Sequence, residues 1–129
     1  MKYVADTIAI VRHLKNSRNM GAKAKEVFRR TDRGEDQIFI SGITLMEILY
    51  LSEKGRIDVD LIDTTKLITD SDNYLVYPVD VKVILTAQTI DDIPELHDRV
   101  IAATAKLLNV PLITHDELIS ESKAVTILW

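Results

Sequence analysis

The chain is 129 residues long, contains no cysteine and carries a formal net charge of −4. That length suits one domain, residues 1–129, with a core that needs no disulfide or structural metal, and the missing cysteine excludes a disulfide scaffold and a thiolate metal site. The acidic balance argues against a protein that grips nucleic acid over its whole surface, yet residues 1–33 hold nine Lys/Arg against three Asp/Glu, a surplus of +6 that leaves −10 for the rest.

Asp6 interrupts the apolar N-terminal run and no small-x-small site follows it, so no signal peptide is expected. No stretch reaches the roughly 18 uncharged apolar residues of a membrane span. The expectation is a soluble cytoplasmic protein. In chain order, Lys2–Asp6 reads as a short buried strand and Thr7–Leu14 as a helix. Ala22–Asp32 is a second helix, with Ala24, Val27 and Phe28 on one side. Gln37–Ser41, β-branched and aromatic, is a strand. Ile43–Lys54 is a helix stopped by Gly55, and Val59–Ile68 is another. Tyr74–Val79 is a strand that Pro78 weakens at its end. Asp80–Thr89 is a helix with Asp80 as its N-cap, followed by a helix over His97–Leu108. Pro111–Thr114 is a strand, Asp116–Ser122 a short helix and Ala124–Leu128 a last strand.

Strands alternating with helices require crossover connections. The expected fold class is therefore α/β, a central mostly parallel sheet of four to five strands with helices on both faces. In such sheets ligands bind beyond the carboxyl ends of the strands, where strand order reverses. That rule singles out four acids. Asp6 ends the first strand, and Glu47 lies in the first turns of the helix after the second. Asp98 opens the helix that leads into the fourth strand, and Asp116 lies two residues past that strand.

Each acid also has a local structural role open to it. Asp6 can cap the following helix. Glu47 can close a capping box with Thr44, and Thr114-His115-Asp116-Glu117 fits the same pattern. Asp98 is favoured by the helix dipole. Gathered at one edge, however, carboxylates within ~4–6 Å repel one another. No Lys or Arg lies beside Asp6, Glu47 or Asp116 in sequence, so a hard divalent cation, Mg²⁺ or Mn²⁺, is the natural partner. His97 reads as a helix-start residue rather than a proton-transfer group, and the four glycines are scattered and form no phosphate cradle.

The segments VADT (4–7), ITLMEILYLSEKGRI (43–57), IPELHDRVIAATAKLLNVPLITHDELI (93–119) and VTILW (125–129) together resemble PIN-domain ribonucleases, and within them the VapC-type toxins and their stand-alone relatives. The resemblance runs nearly end to end and implies the PIN-like, Rossmann-like version of the α/β fold. It puts the family's acidic quartet on Asp6, Glu47, Asp98 and Asp116, with Asp6, Asp98 and Asp116 as metal ligands and Thr114 and Thr7 in support. It implies Mg²⁺- or Mn²⁺-dependent endonucleolytic cleavage of single-stranded RNA by an activated water. It also implies a small antitoxin partner and a homodimer. Arg12, Lys15 and Arg99 are candidate contacts to the RNA backbone.

Three other readings remain to be weighed. A receiver domain would carry an acid pair after the first strand, where this chain has Ala5-Asp6-Thr7, and an aspartate-nucleophile phosphatase would want an acid where Ile8 stands. The alternative with more to recommend it is a non-catalytic PIN-like interaction module. Ile48, Leu49, Tyr50 and Leu51, with Leu61, Ile62 and Leu67, would supply its groove or a dimer face.

Overall fold

The structure is a computed structural model that describes residues 1–129. Five strands form one parallel sheet: β1 (Lys2–Ala5), β2 (Gln37–Ser41), β3 (Tyr74–Tyr77), β4 (Leu112–Ile113) and β5 (Ile127–Leu128), in the order β3-β2-β1-β4-β5. Seven helices connect them: α1 (Thr7–Leu14), α2 (Ala22–Asp32), α3 (Gly42–Glu53), α4 (Leu61–Thr69), α5 (Val81–Gln88), α6 (Leu96–Leu108) and α7 (Glu117–Ser120). The chain grows outward from β1 through β2 to β3, then returns to add β4 on the other side of β1. The reversal point therefore lies between β1 and β4, in register through Val4 with Leu112 and Ala5 with Ile113.

Both faces of the sheet are covered, and the side-chain alternation of the strands divides the core in two. Tyr3, Ala5, Ile38, Ile40 and Ile113 face a cluster that includes Ile10, Val27, Phe28 and Ile48. Val4 and Leu112 face a second cluster built on Val83, Ala87 and the apolar run Val100–Ala103 with Ala105. Polar exceptions in the core are hydrogen-bonded, as burial demands. Asp36, 1% exposed, takes Arg30 Nε at 2.8 Å and the N-terminal ammonium at 3.2 Å, which ties the start of β1 to the entry of β2.

The helix ends follow local chemistry. Asp60 and Asp63 form a reciprocal capping box, so α4 starts at Leu61, two residues later than the sequence suggests. Gly55 has φ +66 just past the Lys54 cap of α3, a conformation that favours glycine. β3 stops at Tyr77 ahead of Pro78, and β5 is limited to Ile127–Leu128. No helix is long and apolar enough to cross a membrane.

Candidate functional site

The carboxyl ends of β1 and β4 open into a cleft of about 240 Å³ at the reversal point, lined by Asp6, Thr7, Glu47, Asp98 and Asp116 among others. Each acid is delivered by a different element. Asp6 is the residue between β1 and α1 and is only 7% exposed. Its Oδ1 accepts from Ala9 N at 2.8 Å, which caps α1, while its Oδ2 accepts from the Thr114 hydroxyl. Burial raises the Asp6 pKa above the carboxylate norm, while the Thr114 and Ala9 bonds pull the other way.

Asp116 caps α7 by accepting from Ile119 N at 3.0 Å, and its own N–H donates to Thr114 Oγ1 at 3.1 Å. Thr114 is thus a fully buried bridge between two of the acids. It does not start a helix; the hydroxyl reaches across the sheet to Asp6, and Asp116 takes the cap. Glu47 closes no capping box either, because α3 starts at Gly42 under a Ser41 cap. Its Oε1 accepts from Thr7 Oγ1 at 2.8 Å instead, and its Oε2 lies 4.0 Å from His97 Nδ1. Burial raises the Glu47 pKa, offset partly by the Thr7 bond and the nearby His97.

Asp98 stands apart: Asp6, Asp116 and Glu47 each accept a hydrogen bond on a carboxylate oxygen, and the Asp98 carboxylate accepts none. No Lys, Arg or His forms an ion pair with it. Desolvation comes first, then the charges of Glu95, Asp116, Glu47 and Asp6, and together they push its pKa up to about 7. Glu95 is a contributor that sequence reading missed. It is the N-cap of α6, accepting from Asp98 N at 2.7 Å, and it also faces His97 at 3.5 Å. Its one sequence signal, an acid three residues before Asp98 and just after Pro94, is too common to single it out.

The rim carries a layered stack. His115 lies on Trp129 with ring centroids 5.1 Å apart, and the Arg12 guanidinium is 5.6 Å from the Trp129 ring centroid. Among the candidate cations only Arg12 lines the cleft. Lys15 reaches away to Asp58 at 3.3 Å. Arg99 lines a separate apolar groove between α5 and α6, where its Nε is buried without a partner. The apolar residues of α3 and α4 also separate. Ile48 is fully buried core and Leu67 packs against the same core, whereas Leu49, Tyr50 and Ile62 are exposed.

The donor set suits a hard divalent cation: apart from the His115 ring, which is stacked on Trp129, the ligand atoms on offer are carboxylate and hydroxyl oxygens, and Asp98 has no cation to offset its neighbours. No three carboxylate or imidazole groups stand together at coordination distance in this conformation. An ion here would draw on one or two carboxylates at a time, with water and substrate oxygens completing its shell, which is the habit of Mg²⁺.

The same fold occurs in solved structures of low sequence identity. VapBC2 of Rickettsia felis bound to a promoter DNA fragment includes a chain that superposes with a TM-score of 0.71 at 18% identity, over 99% of this chain and 98% of that one. DNA-bound VapBC of Salmonella typhimurium gives 0.71 at 20% identity over 99% and 97%. VapC20 of Mycobacterium tuberculosis, described as a Sarcin-Ricin loop cleaving toxin, gives 0.67 at 15% identity over 96% and 98%. No curated protein matches the chain by sequence. The PIN domain family profile matches residues 3–123, nearly the whole molecule, and the chain belongs to the PIN domain family.

Proposed function

We propose that this PIN domain is a divalent-metal-dependent endoribonuclease acting on single-stranded RNA in the cytoplasm, the toxin of a toxin–antitoxin pair. The observation that carries the reading is the cleft at the β1/β4 reversal point, where four acids from four separate segments meet and Asp98 is left without a counter-ion. Gathering carboxylates there opposes folding unless a cation offsets them. Support for the toxin assignment comes from the neighbouring folds, several of which are toxin–antitoxin complexes.

Asp6, Asp98 and Asp116, one or two of them at a time with water and substrate oxygens, would hold Mg²⁺ or Mn²⁺. When bound, such an ion supplies Lewis acidity toward a phosphate oxygen and makes water more acidic. The chain's own residues do the rest. Thr114 fixes the direction of Asp6 and the backbone of Asp116, so that both face the cleft. Thr7 holds one oxygen of Glu47 and leaves the other to orient the attacking water or take its proton. Attack in line on phosphorus would leave 5′-phosphate and 3′-hydroxyl ends. The test is cleavage of single-stranded RNA by the intact chain with Mg²⁺ or Mn²⁺. Chelation and Asp6→Asn should each abolish it, and cutting that survives both controls overturns the reading.

Two partner surfaces go with this function. The exposed Met46, Leu49, Tyr50 and Ile62 suit the apolar segment of a small antitoxin. The apolar groove between α5 and α6, flanked by exposed Ile84, Leu85 and Leu96, suits a second copy of the chain. The same exposed residues favour the second reading, a non-catalytic interaction module. That reading gains if no RNA is cut while Mn²⁺ titrations of wild type and Asp98→Asn give the same weak binding.

A further inference from the structure

The cleft of acids has a basic neighbour. A second cavity, about 350 Å³, lies between α1, the turn at 15–21 and α2, and Arg12 lines both. Four cations border it, Arg12, Arg18, Lys25 and Arg29, against one carboxylate, Asp32. Asp32 is already engaged: it accepts from the Tyr74 hydroxyl at 2.5 Å and faces His13 Nε2 at 3.4 Å. Arg29 is engaged too, donating to both oxygens of Glu26 at 2.8 and 2.5 Å. Arg12, Arg18 and Lys25 form no ion pair with any carboxylate. Three uncompensated cations around one hollow repel one another, and an anion in the hollow relieves that repulsion.

The position of this hollow narrows the choice of anion. An acidic peptide running through it past Arg12 would meet Asp6, Glu47, Asp98 and Asp116 directly. A phosphodiester strand meets those acids only through a divalent ion, so one strand can occupy both cavities. The lining also sets how such a strand is read. Asn16 and Ser17 add polar groups. Phe28 offers no open aromatic face, because it is buried and the His13 ring stacks on it at 4.4 Å. Cations and small polar groups without a stacking platform hold backbone and do not read bases.

We infer that the cavity between α1 and α2 is a phosphate-binding track that holds the backbone of the RNA strand next to the bond being cut, with Arg18 and Lys25 as its main contacts and Arg12 as the junction with the acidic cleft. The inference rests on the endoribonuclease reading for the identity of the strand. It also gives a role to part of the cationic surplus of residues 1–33 in an otherwise acidic chain.

The test is fluorescence anisotropy of a labelled oligouridylate of about 12 nucleotides, a length within single-strand site sizes, titrated with intact chain in EDTA over a range of NaCl. Arg18 and Lys25 are exposed, so Arg18→Gln with Lys25→Gln leaves the core untouched. Each lost phosphate contact lowers the log–log salt slope by about 0.7, which at about 0.1 M salt is about 5-fold in Kd. The double variant should therefore bind about 25-fold more weakly with a slope smaller by roughly 1.4. Lys66→Gln with Lys82→Gln, equal in charge and outside both cavities, should bind like wild type. Equal binding by the two double variants overturns the inference, as does a loss of polyglutamate binding with RNA binding intact. Wild type that cuts RNA, with no defect in the Arg18/Lys25 variant, sinks the track and leaves the nuclease standing. RNA binding that depends on Arg18 and Lys25, with no cutting under any metal, does the reverse.

Discussion

Replacing Asp98 by Asn should stabilise the metal-free protein, and more at pH 8 than at pH 5. The native carboxyl titrates near pH 7, against an ordinary value of 3.8, because it is desolvated and faces Glu95, Asp116, Glu47 and Asp6. The native state thus holds this proton more tightly than the unfolded chain does. Its contribution to stability is complete below pH 4 and is lost as pH rises to 7. Titrations about 3 pH units apart correspond to about 4 kcal/mol at 1.36 kcal/mol per unit. Asp98 is only half-buried, so solvent screening brings the expected cost of its ionisation to about 1–2 kcal/mol. For a chain of this size that is about 3–8 °C in Tm. Thermal melts in EDTA should show Asp98→Asn above wild type by this margin at pH 8, with the gap narrowing at pH 5. Adding Mn²⁺ should then raise wild type selectively, by about 2.7 kcal/mol at a hundred times Kd. A variant less stable than wild type at pH 8, or equally displaced at both pH values, would mean that Asp98 is not in a repulsive cluster. The case for a cation there would then be lost.

Thr114→Val removes the donor to Asp6 and the acceptor for Asp116 N, leaving a buried carboxylate underbonded. Urea unfolding should show a loss of about 1–3 kcal/mol, and RNA cutting should fall with it. Gly21→Ala would drive a methyl into the Trp129 backbone and ring, so the chain must shift at about 1–3 kcal/mol. Emission from Trp129, the sole tryptophan, should move to the red; an unchanged spectrum and Tm would contradict the close approach. Ile48→Ala empties a fully buried position in the cluster under α1 and α3 and should cost about 2–5 kcal/mol in urea, whereas Leu49→Ala on the exposed side should cost well under half of that.

What the sequence discloses follows from how local each cause is. All five strands read as short apolar runs, most clearly β1, β2 and β4, whose Val4, Ile38, Ile40 and Leu112 are fully buried, so the alternation of strands with helices was visible. Boundaries slipped where a side-chain bond decides them. The mutual caps of Asp60 and Asp63 move the start of α4, and Ser41 rather than Thr44 starts α3. The gathering of the four acids at one edge was legible because each lies next to a strand's carboxyl end or a helix start, and a parallel sheet brings those positions together. Glu95 and the Arg12–Trp129–His115 stack were not legible. Glu95 acts on near neighbours through a cap too common to single out, whereas Arg12, His115 and Trp129 come from segments far apart in the chain, and no periodicity records such a meeting. Nor does helical patterning distinguish Ile48 from Leu49, since both are apolar neighbours on α3 and only the sheet beneath decides which is covered.

The local roles of the acids and their collective role are not competitors. Asp6 caps α1 with one oxygen, Asp116 caps α7 with one oxygen, and Glu47 spends one oxygen on Thr7. Each bond fixes a carboxylate's direction at the moment the fold forms, so that no side-chain freedom is left to be frozen when a ligand arrives. Thr114 extends this by tying Asp6 and Asp116 to a single hydroxyl. Asp98 is the exception: its carboxylate accepts no hydrogen bond, and desolvation with the neighbouring acids pushes its pKa up to about 7. Three acids held in place by the fold and a fourth held only by its helix make a cleft that is preorganised on one side and adjustable on the other. A cation that closes the set must therefore gain most from Asp98, and Asp98→Asn should weaken Mn²⁺ binding more than Asp116→Asn does. Isothermal titration of the two variants decides it, and the opposite ranking would place the ion on the β1/β4 side of the cleft, with Asp98 outside its reach.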